Sequence, residues 1–157
     1  MTRLSPIKTT PIQTITTAML TVETRGEGFT DITDEARQFV AHADAADGAL
    51  FLFLRHTSAS LTIQENADPD VLKDLVTALR GLAPEDAGWV HDTEGPDDMP
   101  AHVKAMLTGV GLHVPVIDGA LALGTWQGIY LIEHRLRPHR REILLQCISG
   151  RSPQKSA

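Results

Sequence analysis

Three histidines carry the clearest chemical signal in this chain of 157 residues. His56 opens a stretch in which polar residues recur at every second position. His91 stands beside Asp92 in a segment rich in Pro, Gly and Asp. His102 follows the acidic pair Asp97-Asp98 and starts a helical pattern. Imidazole is neutral or only partly protonated near neutral pH, so it can ligate a divalent cation, move protons or, when charged, hold phosphate. Imidazoles from a strand end, a loop and a helix start could converge on one cation and leave a position open for water or substrate. The acidic neighbours Asp92 and Asp97-Asp98 could orient their ring nitrogens. On spacing alone, three unrelated hydrogen-bonded histidines are the commoner case, and no HExxH pair is present.

Four other groupings have the right residue types. Glu65-Asn66 ends the polar stripe, either as a contact to substrate or metal or as a plain turn. Gly124-Thr125-Trp126-Gln127-Gly128 brackets Trp and Gln with glycines, which points to a bulge or a close backbone approach. Trp126 could stack on a flat ring and Gln127 read its polar edge, or the Trp could be ordinary core. His134 to Arg141 is the one basic cluster in an acidic chain. Its Arg137, Arg140 and Arg141 suit phosphate, and a solvated turn is the alternative. Ser58 and Ser60 lie near His56 but lack the nucleophile-elbow setting, and no Walker loop or dinucleotide fingerprint occurs. Cys147 sits in an apolar run and reads as inert core.

Residues 1–11 read as a frayed tail and 151–157 as a polar one. Gln13 to Glu23 suits a strand, broken by Gly26 and Gly28. Thr33 is the expected N-cap of a helix that ends near Asp47-Gly48. Ala49 to Leu54 is apolar on both faces, as a buried strand would be. His56 to Asn66 follows with period two, one side packing and the other a polar stripe. Asp68-Pro69 starts a helix with apolar positions Val71, Leu72, Leu75, Val76 and Leu79, ending at Gly81. A long loop from Ala83 to Pro100 precedes a short helix from about Met99 to Thr108. His113 to Ile117 and Ala120 to Leu123 flank Asp118-Gly119, a hairpin signal. Trp126 to Arg135 and Arg140 to Ile148 are two longer strands. The order predicts a single α+β domain with a mostly antiparallel sheet and three helices.

Composition narrows the function classes. Hydrophobic residues make up 42% and charged residues 22%, as in a folded soluble protein. No apolar run reaches the ~20 residues of a membrane span, and the N-terminus lacks a signal-type apolar stretch. A net charge of −6 argues against a broad nucleic-acid surface. The single cysteine excludes an intramolecular disulfide and multi-cysteine zinc sites, and predicts a reducing, cytoplasmic setting.

Several ordered motifs together resemble the YjbQ family. They are His56-Thr57-Ser58-Ala59, Glu65-Asn66-Ala67-Asp68-Pro69-Asp70, His91-Asp92, Ala101-His102-Val103-Lys104-Ala105, Gly119 and Gly124-Thr125-Trp126-Gln127. The likeness runs from about Ile12 to Ile148, with Gly111 standing where the family signature has Ser, and a somewhat longer, more acidic loop from Glu94 to Pro100. The resemblance implies a compact α+β sandwich that assembles as a homotrimer. It implies a thiamine-phosphate synthase side activity, joining a pyrimidine methyl pyrophosphate to a thiazole phosphate. His56, His91 and His102 carry over as metal ligands and catalytic groups, with Glu65 as a further catalytic candidate. Asn66, Thr125, Trp126 and Gln127 carry over as substrate contacts, and Arg137 and Arg140 join them as phosphate contacts. The implied cofactor is a divalent metal, Zn or Mg. The expected partners are a small phosphorylated metabolite and further copies of the chain, without nucleic acid or membrane. Two other readings stay open: a metal-dependent phosphoester hydrolase, and a non-catalytic trimer that binds a small anionic metabolite.

Overall fold

Alternating apolar positions in eight segments give strands, and these form two antiparallel sheets in the computed structural model, which describes residues 3–151. β1 (Thr14–Glu23), β8 (Arg140–Arg151), β3 (Ala45–Leu54), β5 (Gly111–Ile117) and β6 (Ala120–Leu121) lie in that order in the larger sheet. β2 (Gly28–Asp31), β7 (Gln127–Glu133) and β4 (Ala59–Glu65) form the smaller one. The α+β reading with three helices and antiparallel sheets is the observed architecture. The inward positions of both sheets, among them Leu50, Leu52, Leu54, Leu61, Ile129, Leu131, Ile143 and Leu145, join Ala36 and Val40 of α1 (Thr33–His42) in one core. α2 (Pro69–Leu82) packs on β2, and α3 (Asp98–Thr108) covers β4.

Local chemistry explains the firmest boundaries. Asp68 caps α2 by accepting from the Asp70 amide at 2.9 Å, with Pro69 as the first helical residue. Asp118 and Gly119 turn the β5–β6 hairpin with φ of 50° and 81°, the left-handed pair that suits a two-residue loop.

Other expectations are corrected. α1 stops at His42, not near Asp47-Gly48. Asp44 makes the turn at φ 47°, and Asp47 and Gly48 already belong to β3. Gly48 is required there by packing, because a Cβ would collide with the Ile148 carbonyl. Thr33 is the first helical residue rather than the cap, and its hydroxyl accepts from the Ile129 amide at 2.8 Å. The Gly26–Gly28 break leads into β2, a strand that two glycines and four residues concealed. The N-terminal segment is tethered rather than frayed: Lys8 pairs with Asp47 at 2.6 Å and Thr10 donates to it at 2.9 Å. The expected tail at 151–157 lies outside the described residues, apart from Arg151 at the end of β8. The polar stripe of β4 is no open surface, since Ser60 is fully buried beneath α3.

The larger sheet shows an uncovered outer face. Phe53 lies across from Leu144, and Leu144 across from Met19; likewise Ala49, Ile148 and Ile15 share a row. Ile15, Met19, Phe51 and Phe53 all remain exposed. β3 is therefore apolar on both faces, one against the core and the other outward. The outer face of β8 alternates Leu144 and Ile148 with Glu142 and Gln146, which corrects the expectation that Arg141 to Ile148 is apolar on both faces.

Candidate functional site

The chemistry gathers where α3 begins. Asp98 and His102 are four residues apart on this helix, so both side chains fall on one face. The loop before it returns His91 to the same point. His91 Nε2 lies 2.8 Å from Asp98 Oδ2, and His102 Nε2 lies 3.8 Å from Asp98 Oδ1. The two rings meet edge to face with centroids 5.6 Å apart. One ligand atom from each of the three residues lies within 4.8 Å of the other two.

Neighbouring groups orient these ligands. His102 Nδ1 is 3.0 Å from the Thr57 carbonyl, an acceptor only, so the ring proton sits on Nδ1 and the Nε2 lone pair faces Asp98. Arg135 reaches over from the end of β7. It pairs with Asp98 Oδ1, takes Asp97 Oδ2 at 3.0 Å and donates to the Glu94 carbonyl at 2.8 Å. Asp98 is buried and therefore has its charge balanced on one oxygen, leaving Oδ2 directed at His91. The set fits a divalent cation: two imidazoles and one carboxylate oxygen, with a small contraction needed to bring all three to bonding distance. Nitrogen-rich donors favour Zn over Mg, which prefers oxygen.

An open pocket of about 550 Å³ adjoins the cluster, with His102 in its wall alongside His56, Thr57 and Arg55. His56 shares this pocket but not the ligand group. Its Nε2 accepts the Glu142 amide at 2.9 Å, which uses the lone pair a cation would need. Burial and then the nearby Arg141 guanidinium push its pKa down, so the ring is held neutral. Among the described residues the third ligand position falls to Asp98. Its signal in the sequence was the four-residue spacing to His102. Arg55, immediately before His56, supplies the pocket with an exposed guanidinium. Arg135 lay inside the basic cluster without standing out from it.

The second half of the sequence-predicted site is elsewhere. Glu65 pairs with Gln127 across the β4–β7 ladder, at the end opposite Ala59 and Glu133. Asn66, Thr125, Trp126 and Gln127 cluster there. From Ala59 to Glu65 is about 20 Å of strand, so this group does not meet the histidines within one chain. The bracketing glycine does mark a close approach, because a Cβ on Gly128 would come within 2.9 Å of the Tyr130 ring.

The basic cluster divides. Arg137 and Arg140 are exposed, Arg140 lying 3.9 Å from Glu23. Arg141 is buried in a two-point pair with Glu133, so both expectations for it, a phosphate contact and a place in a solvated turn, are corrected. Cys147 is buried core, and burial raises its thiol pKa, which keeps it unreactive.

Residues 18–150 match the family model described as UPF0047 protein YjbQ-like. The chain is 47% identical to the UPF0047 protein sll1880 of Synechocystis over 133 residues, covering 84% of this chain and 90% of that one. It is 44% identical to the UPF0047 protein YjbQ of Salmonella typhimurium, covering 80% and 91%. Among solved structures it is similar to an uncharacterized yjbq/upf0047 family protein of Clostridium acetobutylicum, with a TM-score of 0.78, 36% identity and coverage of 83% and 99%. A hypothetical protein of Aeropyrum pernix superposes with a TM-score of 0.80 at 28% identity, covering 86% and 99%. No helix among the described residues is long and apolar enough to cross a membrane.

Proposed function

The chain belongs to the YjbQ family, and from that premise we propose that it is a metal-assisted enzyme acting on a small phosphorylated metabolite. The carrying observation is the His91–Asp98–His102 ligand group at the edge of a pocket that also holds Arg55 and His56. The specific reaction we propose is thiamine-phosphate synthesis. The thiazole nitrogen attacks the methylene carbon of the pyrimidine methyl pyrophosphate. A C–N bond forms, the C–O bond breaks, and pyrophosphate leaves with the bonding electrons. His91, Asp98 and His102 would hold a divalent cation, which would neutralise the charge of the departing pyrophosphate. Arg55 is placed to add a charge-assisted hydrogen bond to a phosphate oxygen. His56 lines the wall with both ring nitrogens engaged within the chain, Nε2 by the Glu142 amide and Nδ1 beside the Arg141 guanidinium, so it shapes the pocket.

The test combines metal analysis with turnover. The wild type is expected to bind Zn, and His91→Ala and His102→Ala, both partly exposed, to lose most of it while remaining folded. Pyrophosphate release that requires both thiamine precursors supports the synthase. Phosphate release from phosphoesters alone points to a hydrolase, and thermal stabilisation by ligand without turnover to a binding module. A wild type that takes up no metal on titration overturns the metal claim.

The proposal includes a homotrimer, supported by the outward apolar face of β1, β8 and β3. It includes a phosphate role for the basic turn. The Arg137→Ala/Arg140→Ala double variant is expected to stay within about 0.5 kcal/mol of wild-type stability, as exposed charges do. Titration calorimetry should show severalfold weaker pyrophosphate binding, and unchanged affinity would make the segment a solvated turn.

A further inference from the structure

We propose that the pocket is completed by the Trp126 turn of a neighbouring copy of the chain, so that each site is built from two subunits. The inference rests on the self-association proposed above. Its first ground is separation: the Trp126 turn lies about 20 Å along β4 from the pocket of its own chain and cannot reach it. Its second ground is the turn itself. Asn66 Nδ2 donates to the Thr125 carbonyl at 3.5 Å and the Gln127 carbonyl at 3.4 Å, and the Asn66 amide donates to Trp126 O at 3.2 Å. Gly124 N donates to Gln127 Oε1 at 2.8 Å, and Gln127 N returns a bond to Gly124 O at 3.0 Å. Such a turn is already ordered, so docking it loses little entropy. Yet it presents an indole that is 66% exposed. A rigidly held, outward aromatic is the kind of side chain that anchors interfaces.

The receiving surface is the open side of the pocket. Phe53, Ala105, Met106 and Val110 give it an apolar lining, and Met106 is 78% and Phe53 52% exposed. Phe53 belongs both to this lining and to the uncovered face of the larger sheet, so the groove runs into the surface that self-association would cover. Charge agrees: Glu65 lies across from Gln127 at the Trp126 turn, and Arg55 stands at the pocket. Turn and groove are different surfaces, so their contact is head-to-tail, the kind that closes a three-membered ring. The neighbour's indole then forms a flat wall suited to a planar heterocycle.

Engineered cysteines test this, because Cys147 is buried and silent. Tagged Met106→Cys and untagged Trp126→Cys chains are co-expressed and treated with a short bismaleimide, with light scattering in parallel. The expected result is a trimer and a covalent tagged–untagged dimer that neither variant forms alone. A trimer without that product overturns this inference and leaves self-association standing. A stable monomer overturns both and leaves the metal reading untouched. Fluorescence in a Trp89→Phe background gives a check on wild-type Trp126. Acrylamide quenching is expected to be severalfold weaker than in the same background carrying Phe51→Asp on the apolar face. Equal quenching in a trimer and in the dissociated variant counts against the proposal.

Discussion

Arg141→Met is expected to destabilise the protein by about 3–5 kcal/mol, the usual cost of stranding one charge of a buried pair. Glu133 and Arg141 are both buried. They are joined twice, Nη2 to Oε1 at 2.6 Å and Nε to Oε2 at 2.8 Å. Thr24 Oγ1 and the Arg135 amide each donate to the carboxylate at 2.9 Å, and Arg141 Nη2 also reaches Ser58 Oγ at 3.1 Å. Burial alone would raise the Glu133 pKa. The Arg141 guanidinium and these donors outweigh burial and hold the carboxyl below its ordinary range. Removing the guanidinium leaves that carboxylate desolvated without its counter-charge. Removing both charges, in Glu133→Leu/Arg141→Met, should cost less than the sum of the single variants, since each charge is expensive chiefly without the other. Urea denaturation with unchanged m-values is the measurement. A single variant within about 1 kcal/mol of wild type would show that the pair is not what holds this end of the sandwich. The pair also bears on the site. Arg141 ties Ser58 and lies 3.5 Å from His56 Nδ1, so its loss loosens the segment that forms the pocket wall.

Where structure depends on neighbours in sequence, the chain was readable. Asp68-Pro69 starts α2, Asp118-Gly119 turns the hairpin, and alternation marks β4. A loop and a helix start that can share a rim make the meeting of His91 and His102 legible in the sequence. Asp98 reads in the sequence only as an orienting neighbour. Its place in the cluster depends on burial and on Arg135, 37 residues away, which no local pattern announces. Glu133, His134 and Arg141 were obscure for a related reason. A run of charged and basic residues reads as a solvated turn, and only the packing of α3 on β4, through Thr108 and Ser60 to His134, turns part of it inward. The Glu65–Trp126 group was grouped with the histidines because motifs carry no distances; the register of β4 on β7 supplies them.

Acid should unfold this protein early, and His134 is the main reason. The ring is 1% exposed, with Nε2 2.8 Å from Ser60 Oγ. Ser60 in turn lies 2.6 Å from Thr108 Oγ1. Burial, reinforced by the positive charge of Lys104, pushes the imidazole pKa from 6.5 down to about 4, against the opposing pull of Glu133 and Glu27. Lys104 is itself fixed there by Glu27 at 2.7 Å, so its charge cannot move away. The unfolded chain takes up a proton as pH falls through 6.5, while the folded chain resists until about 4. The stabilisation is therefore complete above 6.5 and is lost as pH falls through that window. Its size is about 2–3 kcal/mol, of the order of a third of an ordinary domain's stability. His56, its pKa lowered by burial and Arg141, acts in the same direction. Glu133, also depressed, adds its loss at lower pH, as its carboxylate is protonated. Urea midpoints measured from about pH 7.5 to about pH 4.5 should fall steeply in the wild type and much less in His134→Gln, which can still bond Ser60 without titrating. A variant with the wild-type slope would mean that the buried imidazole is not the proton acceptor.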